Sequence, residues 1–142
     1  MAAFKIAETD WVHDAPRLAS IRRTVFIDEQ DVPEVMEWDG HDEASVHFLA
    51  TADDGMPIGC ARLLPDGHLG RMAVLPVWRG RGVGRALLDA AVKVARMQGH
   101  TLLRLSAQTH AAGFYARAGF VVVGQEYEEA GIPHVAMQKD LA

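Results

Sequence analysis

Hydrophobic and polar positions change period several times along this chain, and each change predicts an element. Phe4 to Glu8 alternates with a period of two, as a half-buried strand does. From about Pro16 to Ile27, Leu18, Ile21, Val25 and Phe26 recur at helical spacing, with Asp14 or Thr9 available as the cap. Asp31 to Asp42 is acidic and interrupted by Pro33 and Gly40, which predicts a loop with room for one helical turn. Three strands follow, Ala44 to Thr51, Pro57 to Leu64 and Leu69 to Leu75, separated by the turn signals Asp53-Asp54-Gly55 and Pro65-Asp66-Gly67. The clearest helix is Arg81 to Met97. Val83, Leu87, Ala91 and Ala95 form one stripe, Leu88, Val92 and Val94 widen it, and Gly99 ends it. A buried strand, Leu102 to Ser106, and a short helix, Ala111 to Arg117 closed by Gly119, come next. Strands at Phe120 to Val123 and Val135 to Lys139 flank Gly131-Ile132-Pro133. This order predicts a single α/β domain, residues 1–142, with strands of mixed direction.

Bulk properties narrow the picture. The chain has 142 residues, 49% hydrophobic and 23% charged, which suits one soluble globular domain. The single cysteine, Cys60, has no intramolecular partner and lies in the apolar run IGCARLL, so a buried side chain is expected rather than a nucleophile. The N-terminal MAAFKIAETD lacks a charged-then-apolar leader, and no apolar run is long enough for a bilayer. A cytoplasmic protein without a membrane partner is expected. The net charge of -5 argues against nucleic acid. Against that sign, Arg71, Arg79, Arg81 and Arg85 crowd into fifteen positions and mark either an anion site or a solvated helix end.

Those arginines surround RGRGVG, residues 79–84, at the predicted strand-to-helix junction. The first backbone N–H groups of a helix have no internal partner and sit at the positive end of its dipole. Glycines there permit positive φ and let a phosphate approach the main chain. The run is not a Walker loop, because Gly84 is followed by Arg85-Ala86 rather than Lys-Ser/Thr. Nor is it the dinucleotide fingerprint, which needs a wider glycine spacing and an acidic residue after the next strand.

The run RMAVLPVWRGRGVGRALLDAAV (Arg71 to Val92) resembles the acyl-CoA-binding motif of the GNAT superfamily of N-acetyltransferases, Gln/Arg-x-x-Gly-x-Gly/Ala, met by Arg79, Gly82 and Gly84. The Val-x-Pro that precedes it is met by Val74 and Pro76. FYARAGF (Phe114 to Phe120) is similar to a second motif of that family, with Tyr115 at its tyrosine. RRTVFIDEQ, EWDGHD and EEAGIPHVAM resemble the ElaA/YjcF-like branch of small bacterial acetyltransferases, and the resemblance extends over the whole chain. It implies the GNAT-type fold: a mixed, mostly antiparallel central sheet flanked by helices.

The resemblance also implies direct transfer of an acetyl group from acetyl-CoA to an amine in a ternary complex. Met72, Ala73 and Val74 match the splayed strand that pairs with the pantetheine arm. A backbone N–H of Met72 or Val74 would polarise the thioester carbonyl. Gly80, Arg81, Gly82, Val83 and Gly84 would hold the diphosphate, with Arg79 and Arg85 adding charge. Tyr115 matches the acid, since a phenol suits a departing thiolate. His134 matches a position regarded as the base in some relatives, and a histidine titrates in the right range; the alternative is a structural histidine bonded to a backbone carbonyl. Glu29, Glu37 and Glu128 are further base or acceptor-site candidates, and Trp38 a pocket wall, within an acidic stretch suited either to a cationic amine or to solvent. Many relatives carry an asparagine shortly before the tyrosine, where this chain has Gln108 and His110. His41, Asp42 and His47 lack zinc-type spacing, so no metal is expected. Two rivals remain, an enzyme for a larger acyl-CoA and a non-catalytic CoA sensor. The acceptor is a small-molecule or peptide amine, and exposed sheet edges allow a homodimer.

Overall fold

The computed structural model describes residues 3–142. Its centre is a seven-stranded sheet: β1 (Phe4–Thr9), β2 (Val46–Ala52), β3 (Pro57–Leu63), β4 (His68–Val74), β5 (Leu102–Gln108), β6 (Val121–Glu129) and β7 (Ile132–Asp140), in the spatial order β1-β2-β3-β4-β5-β7-β6. Every neighbouring pair is antiparallel except β4 and β5. These two are parallel and are joined by a crossover through α3 (Val83–Met97). Helices cover both faces. On one, Leu18, Ile21 and Val25 from α1 (Trp11–Arg22) and the turn after it pack on Leu49, Cys60 and Ala73. On the other, the stripe Val83, Leu87, Leu88, Ala91, Val92 and Ala95 of α3 packs on Phe48, Ala61, Leu63, Leu69, Leu103, Leu105 and Met137. Leu87 and Leu88 are fully buried, each contributing about 1.5–3 kcal/mol by leaving water. Gly59 lets α3 approach: a Cβ there would stand 3.1 Å from each of Ala73 O, Leu87 Cδ1 and Val83 Cγ1.

The larger departures from the expected boundaries lie in the first helix and the last hairpin. The first helix begins at Trp11, five residues before Pro16, because Asp10 caps it by accepting from His13 N–H at 2.9 Å. The prolyl ring is accommodated by non-helical dihedrals at Asp14 (φ -128°, ψ 19°). The helix then widens into a π-helical segment, Arg23–Glu29, instead of stopping at Ile27. The last hairpin is also longer than expected. Both its strands run nine residues, turning through Ala130 and Gly131 at positive φ. Strand β6 is exposed along its whole length, so no alternation betrays it in the sequence.

Candidate active site

Strands β4 and β5 pair only at His68↔Arg104 and Leu69↔Leu105. Beyond that point β4 keeps its pairing with β3, through Cys60↔Ala73 and Gly59↔Val74, but leaves β5. The edge of Met72, Ala73 and Val74 that faces β5 therefore carries backbone groups without a strand partner. A polar backbone seeks a hydrogen-bonding partner, so this edge suits an extended amide-bearing ligand.

The register inside β4 is unusual. Arg71 and Met72 together oppose Ala61, which is a β-bulge, and Arg71 has φ 48°, a value that is strained for a residue with a Cβ. Leu69 on one side of the bulge and Met72 and Val74 on the other all pack toward α3, whereas Ala73 packs toward α1.

Past the open end of β4, a 3-10 turn (Pro76–Trp78) leads into the glycine run. Gly80 and Gly82 have φ 76° and 86°, and a Cβ on either would meet nothing within 4 Å. Gly82 caps α3 without a side-chain hydrogen bond. The first helical bond runs from Ala86 N–H to Gly82 C=O at 3.0 Å, so the amides of Val83, Gly84 and Arg85 lie bare at the positive end of a fifteen-residue helix. The geometry fits a bound diphosphate. The arginines contribute unequally. Arg79 is held bidentately by Glu29, at 2.7 Å in both contacts, and its Nε donates to Val74 C=O at 3.0 Å. Arg85 pairs with Asp89 at 3.0 Å. Arg81 stacks on Trp78, 5.2 Å from the ring centroid, and among the described residues it has no carboxylate partner.

Tyr115 stands on α4 (Ala112–Arg117) on the α3 side of the sheet, edge-on to Phe114 and Phe120. Its O–H points to Met72 Sδ, 3.7 Å away, at the rim of the open seam. Burial pushes its phenol up to about 12, so the O–H stays protonated throughout the neutral range.

His134 lies on the opposite face. It pairs with Gln108 on one side and Tyr127 on the other, and successive β7 side chains alternate, with Val135 and Met137 on the α3 side. Its Nδ1–H donates to Ile132 C=O at 2.6 Å, which leaves the Nε2 lone pair free in the neutral ring. The structural bond and an available Nε2 thus coexist. Tyr127 stacks on the imidazole at 6.0 Å, and the Tyr127 hydroxyl hydrogen-bonds Ser106 Oγ. Neither Tyr127 nor Ser106 stood out in the sequence. The carboxylate brought to Nε2 is Glu129, at 3.8 Å, while Glu128 faces the other side of the hairpin. Gln108 and Gln30 form a reciprocal amide pair at 2.8 and 3.4 Å, and His110 stays exposed. With the Glu29–Arg79 pair, this contact makes the end of the π-helical segment span the open seam.

The acidic stretch does something neither sequence reading anticipated. Glu37, Asp39 and Asp42 are bound by Arg22, Arg62 and Arg71. The Arg22 guanidinium, 1% exposed, meets Glu37 at 2.8 Å and Asp42 at 2.6 Å and lies 5.5 and 5.0 Å from the rings of Trp11 and Trp38. Arg62 grips Asp39 bidentately at 2.9 and 2.8 Å. Burial alone would push Asp39 up, but the Arg62 bonds, with the His41 N–H and Arg71, hold it far below the ordinary carboxylate range. His47 donates to Asp42 C=O at 2.8 Å, and burial lowers it. Glu37 is therefore not free to act as a base, and Trp38 walls an ion cluster of this chain. The Asp42 side chain takes two guanidinium groups, and no group of three potential metal ligands occurs among the described residues. Cys60 is buried, and its thiol is pushed up to about 12 by burial.

A half-open parallel seam, bare helix-terminal amides beside its mouth and a buried phenol on its rim define an acyltransferase that draws on an acyl-CoA. The chain belongs to the GNAT acetyltransferase family, whose domain matches residues 14–141. Among its relatives, YjcF of Bacillus subtilis (strain 168), named an uncharacterized N-acetyltransferase, is 38% identical over 124 residues, covering 84% of this chain and 88% of that protein. An acyl-CoA N-acyltransferase from Pseudomonas aeruginosa superposes with a TM-score of 0.85 at 31% identity, covering 96% of this chain and 99% of that one. Escherichia coli ElaA superposes at 0.86 with 27% identity and the same coverage. The fold and branch expected from the sequence are those found. No helix among the described residues is long and apolar enough to cross a membrane.

Proposed function

We propose that the protein transfers the acetyl group of acetyl-CoA to a primary amine of a small molecule or peptide, in one step within a ternary complex. The observation that carries this reading is the edge of Met72 to Val74, which has no strand partner on the β5 side and runs from the tyrosine hydroxyl toward the bare amides of α3. Amides of Gly80 to Gly84, with the charge of Arg81, hold the diphosphate, and the edge of β4 pairs with the amide-bearing arm. Bound there, acetyl-CoA supplies an acetyl group activated as a thioester. His134 Nε2 takes the proton of the attacking amine as the C–N bond forms and the C–S bond breaks. Tyr115 Oη, protonated at every working pH, donates its hydrogen bond to the sulfur that leaves. Acid and base thus approach the seam from opposite faces of the sheet. Glu129 beside Nε2 favours a cationic acceptor.

The test is a free-CoA release assay over small amines, amino acids, aminoglycosides and peptides, run with acetyl and longer acyl donors. Acetyl-CoA alone is expected to raise Tm progressively, with about 2.7 kcal/mol of stabilisation at a hundredfold excess over Kd. No shift and no release with any donor would end the proposal. His134→Ala is expected to lower kcat/KM by about 100-fold at neutral pH. A kcat/KM within about twofold of wild type would remove His134 from the role.

A further inference from the structure

The bulge in β4 decides which way the acyl-binding segment faces. In a regular strand starting from Leu69, which packs toward α3, Met72 would point to the α1 side and Ala73 to the α3 side. The extra residue reverses this. Met72 and Val74 turn toward α3, and Met72 Sδ comes within 3.7 Å of Tyr115 Oη. A slip of one residue inverts every side chain beyond it, so the Tyr115 contact exists only while the bulge does. The bulge requires a left-handed backbone at position 71, and the residue there is arginine, not glycine.

What holds that conformation is the ion cluster. Arg71 Nη2 donates to Glu37 C=O at 2.9 Å, Met36 C=O at 3.3 Å and Asp39 Oδ2 at 3.2 Å, and its Nε lies 3.0 Å from Glu37 Oε2. Glu37 is fixed in turn by Arg22, and Asp39 by Arg62. The bulge carbonyl, Arg71 C=O, accepts from the buried Cys60 thiol at 3.3 Å. Backbone carbonyls and carboxylates of the segment 34–42, with the Cys60 thiol of β3, therefore grip one strained residue from both ends.

We propose that Arg71 is a positioning residue: its guanidinium, anchored to Glu37 and Asp39, clamps the bulge that aims Met72–Val74 and sets the partner of Tyr115. The kinetic part of this rests on the acyl-CoA reading above; the conformational part does not.

Arg71→Gly and Arg71→Val separate the clamp from the fold. Both remove the same guanidinium and leave Glu37 and Asp39 short of the same partner, so damage to the ion cluster is common to them. They differ in tolerance of positive φ, which glycine adopts freely and a β-branched residue resists. In ligand-free protein, the nuclear Overhauser contact between the Met72 methyl and the Tyr115 ring is expected in wild type and, weakened, in Arg71→Gly. It is expected to vanish in Arg71→Val. In turnover, Arg71→Val is expected to lose about 100-fold in kcat/KM for acetyl-CoA, and Arg71→Gly about tenfold less than that. Binding of adenosine 3′,5′-bisphosphate, which carries no pantetheine arm, is expected to change less than twofold in either variant, roughly within measurement scatter.

Equal losses in the two variants would overturn the role of the backbone conformation. An Arg71→Gly enzyme with wild-type kinetics and an undiminished Met72–Tyr115 contact would overturn the clamp. Should the contact follow the expected order while wild type binds neither nucleotide, the acyl-CoA reading fails and the positioning role stands.

Discussion

Tyr115→Phe is expected to lower kcat by about 100- to 10,000-fold while leaving the KM for acetyl-CoA and the melting temperature nearly unchanged. The ring keeps its edge-on contacts with Phe114 and Phe120, so packing is preserved. What disappears is a single donor at the rim of the seam, 3.7 Å from Met72 Sδ. An interaction that strengthens only as the sulfur leaves lowers kcat without weakening ground-state binding. Because burial pushes the phenol up to about 12, wild type should show no alkaline decline from this group below about pH 11. The phenol also sits several units above an ordinary thiol, about 8.5. A standing hydrogen bond to sulfur is therefore favoured over complete proton transfer. A Tyr115→Phe enzyme with wild-type kcat across the pH range would exclude the residue from the chemistry.

Arg22→Met is expected to destabilise the fold by about 3–5 kcal/mol, because removing one partner leaves buried charge uncompensated. For a chain of this size that lowers Tm by roughly 10–20 °C. Methionine keeps most of the volume between Trp11 and Trp38, so the loss reports charge rather than a cavity. Adding Asp42→Asn to Arg22→Met is expected to restore part of the loss, because the amide needs no counter-charge. A Tm within about 2 °C of wild type for Arg22→Met would show the cluster to be energetically idle. The same cluster sets the acid behaviour. Asp39 has a folded pKa depressed below its ordinary 3.8, so its contribution is complete above that value and fades only as pH falls further. Acid unfolding driven by Asp39 is therefore expected below about pH 4, monitored by circular dichroism.

Much of this site is legible in the chain itself, for local reasons. RGRGVG before an amphipathic helix announces bare amides, because both the positive φ and the helix start are written in consecutive residues. Tyr115 is legible through its motif. The ion cluster is not. Glu37, Asp39 and Asp42 lie on a polar stretch, and Arg62 and Arg71 sit in mostly apolar strands. An observable hint is that Arg62 and His47 fall on one face of paired strands, which places charge where a core is expected. Only the known pairing makes that hint readable. Tyr127 is not legible in the sequence for a related reason: its meaning depends on His134 and Ser106, each on a different strand.

The sequence by itself determined the elements, the glycine-rich turn and the family. Each depends on periodicity or on residues close together in the chain, where side-chain spacing and backbone freedom are local properties. Tertiary structure alone decided at which residue β4 parts from β5, that Arg71 adopts a left-handed backbone, and that Glu37 serves a guanidinium instead of a substrate. Those outcomes depend on which strands become neighbours and on where charge finds its counter-charge once water is gone, and both are settled by contacts between residues far apart in the chain.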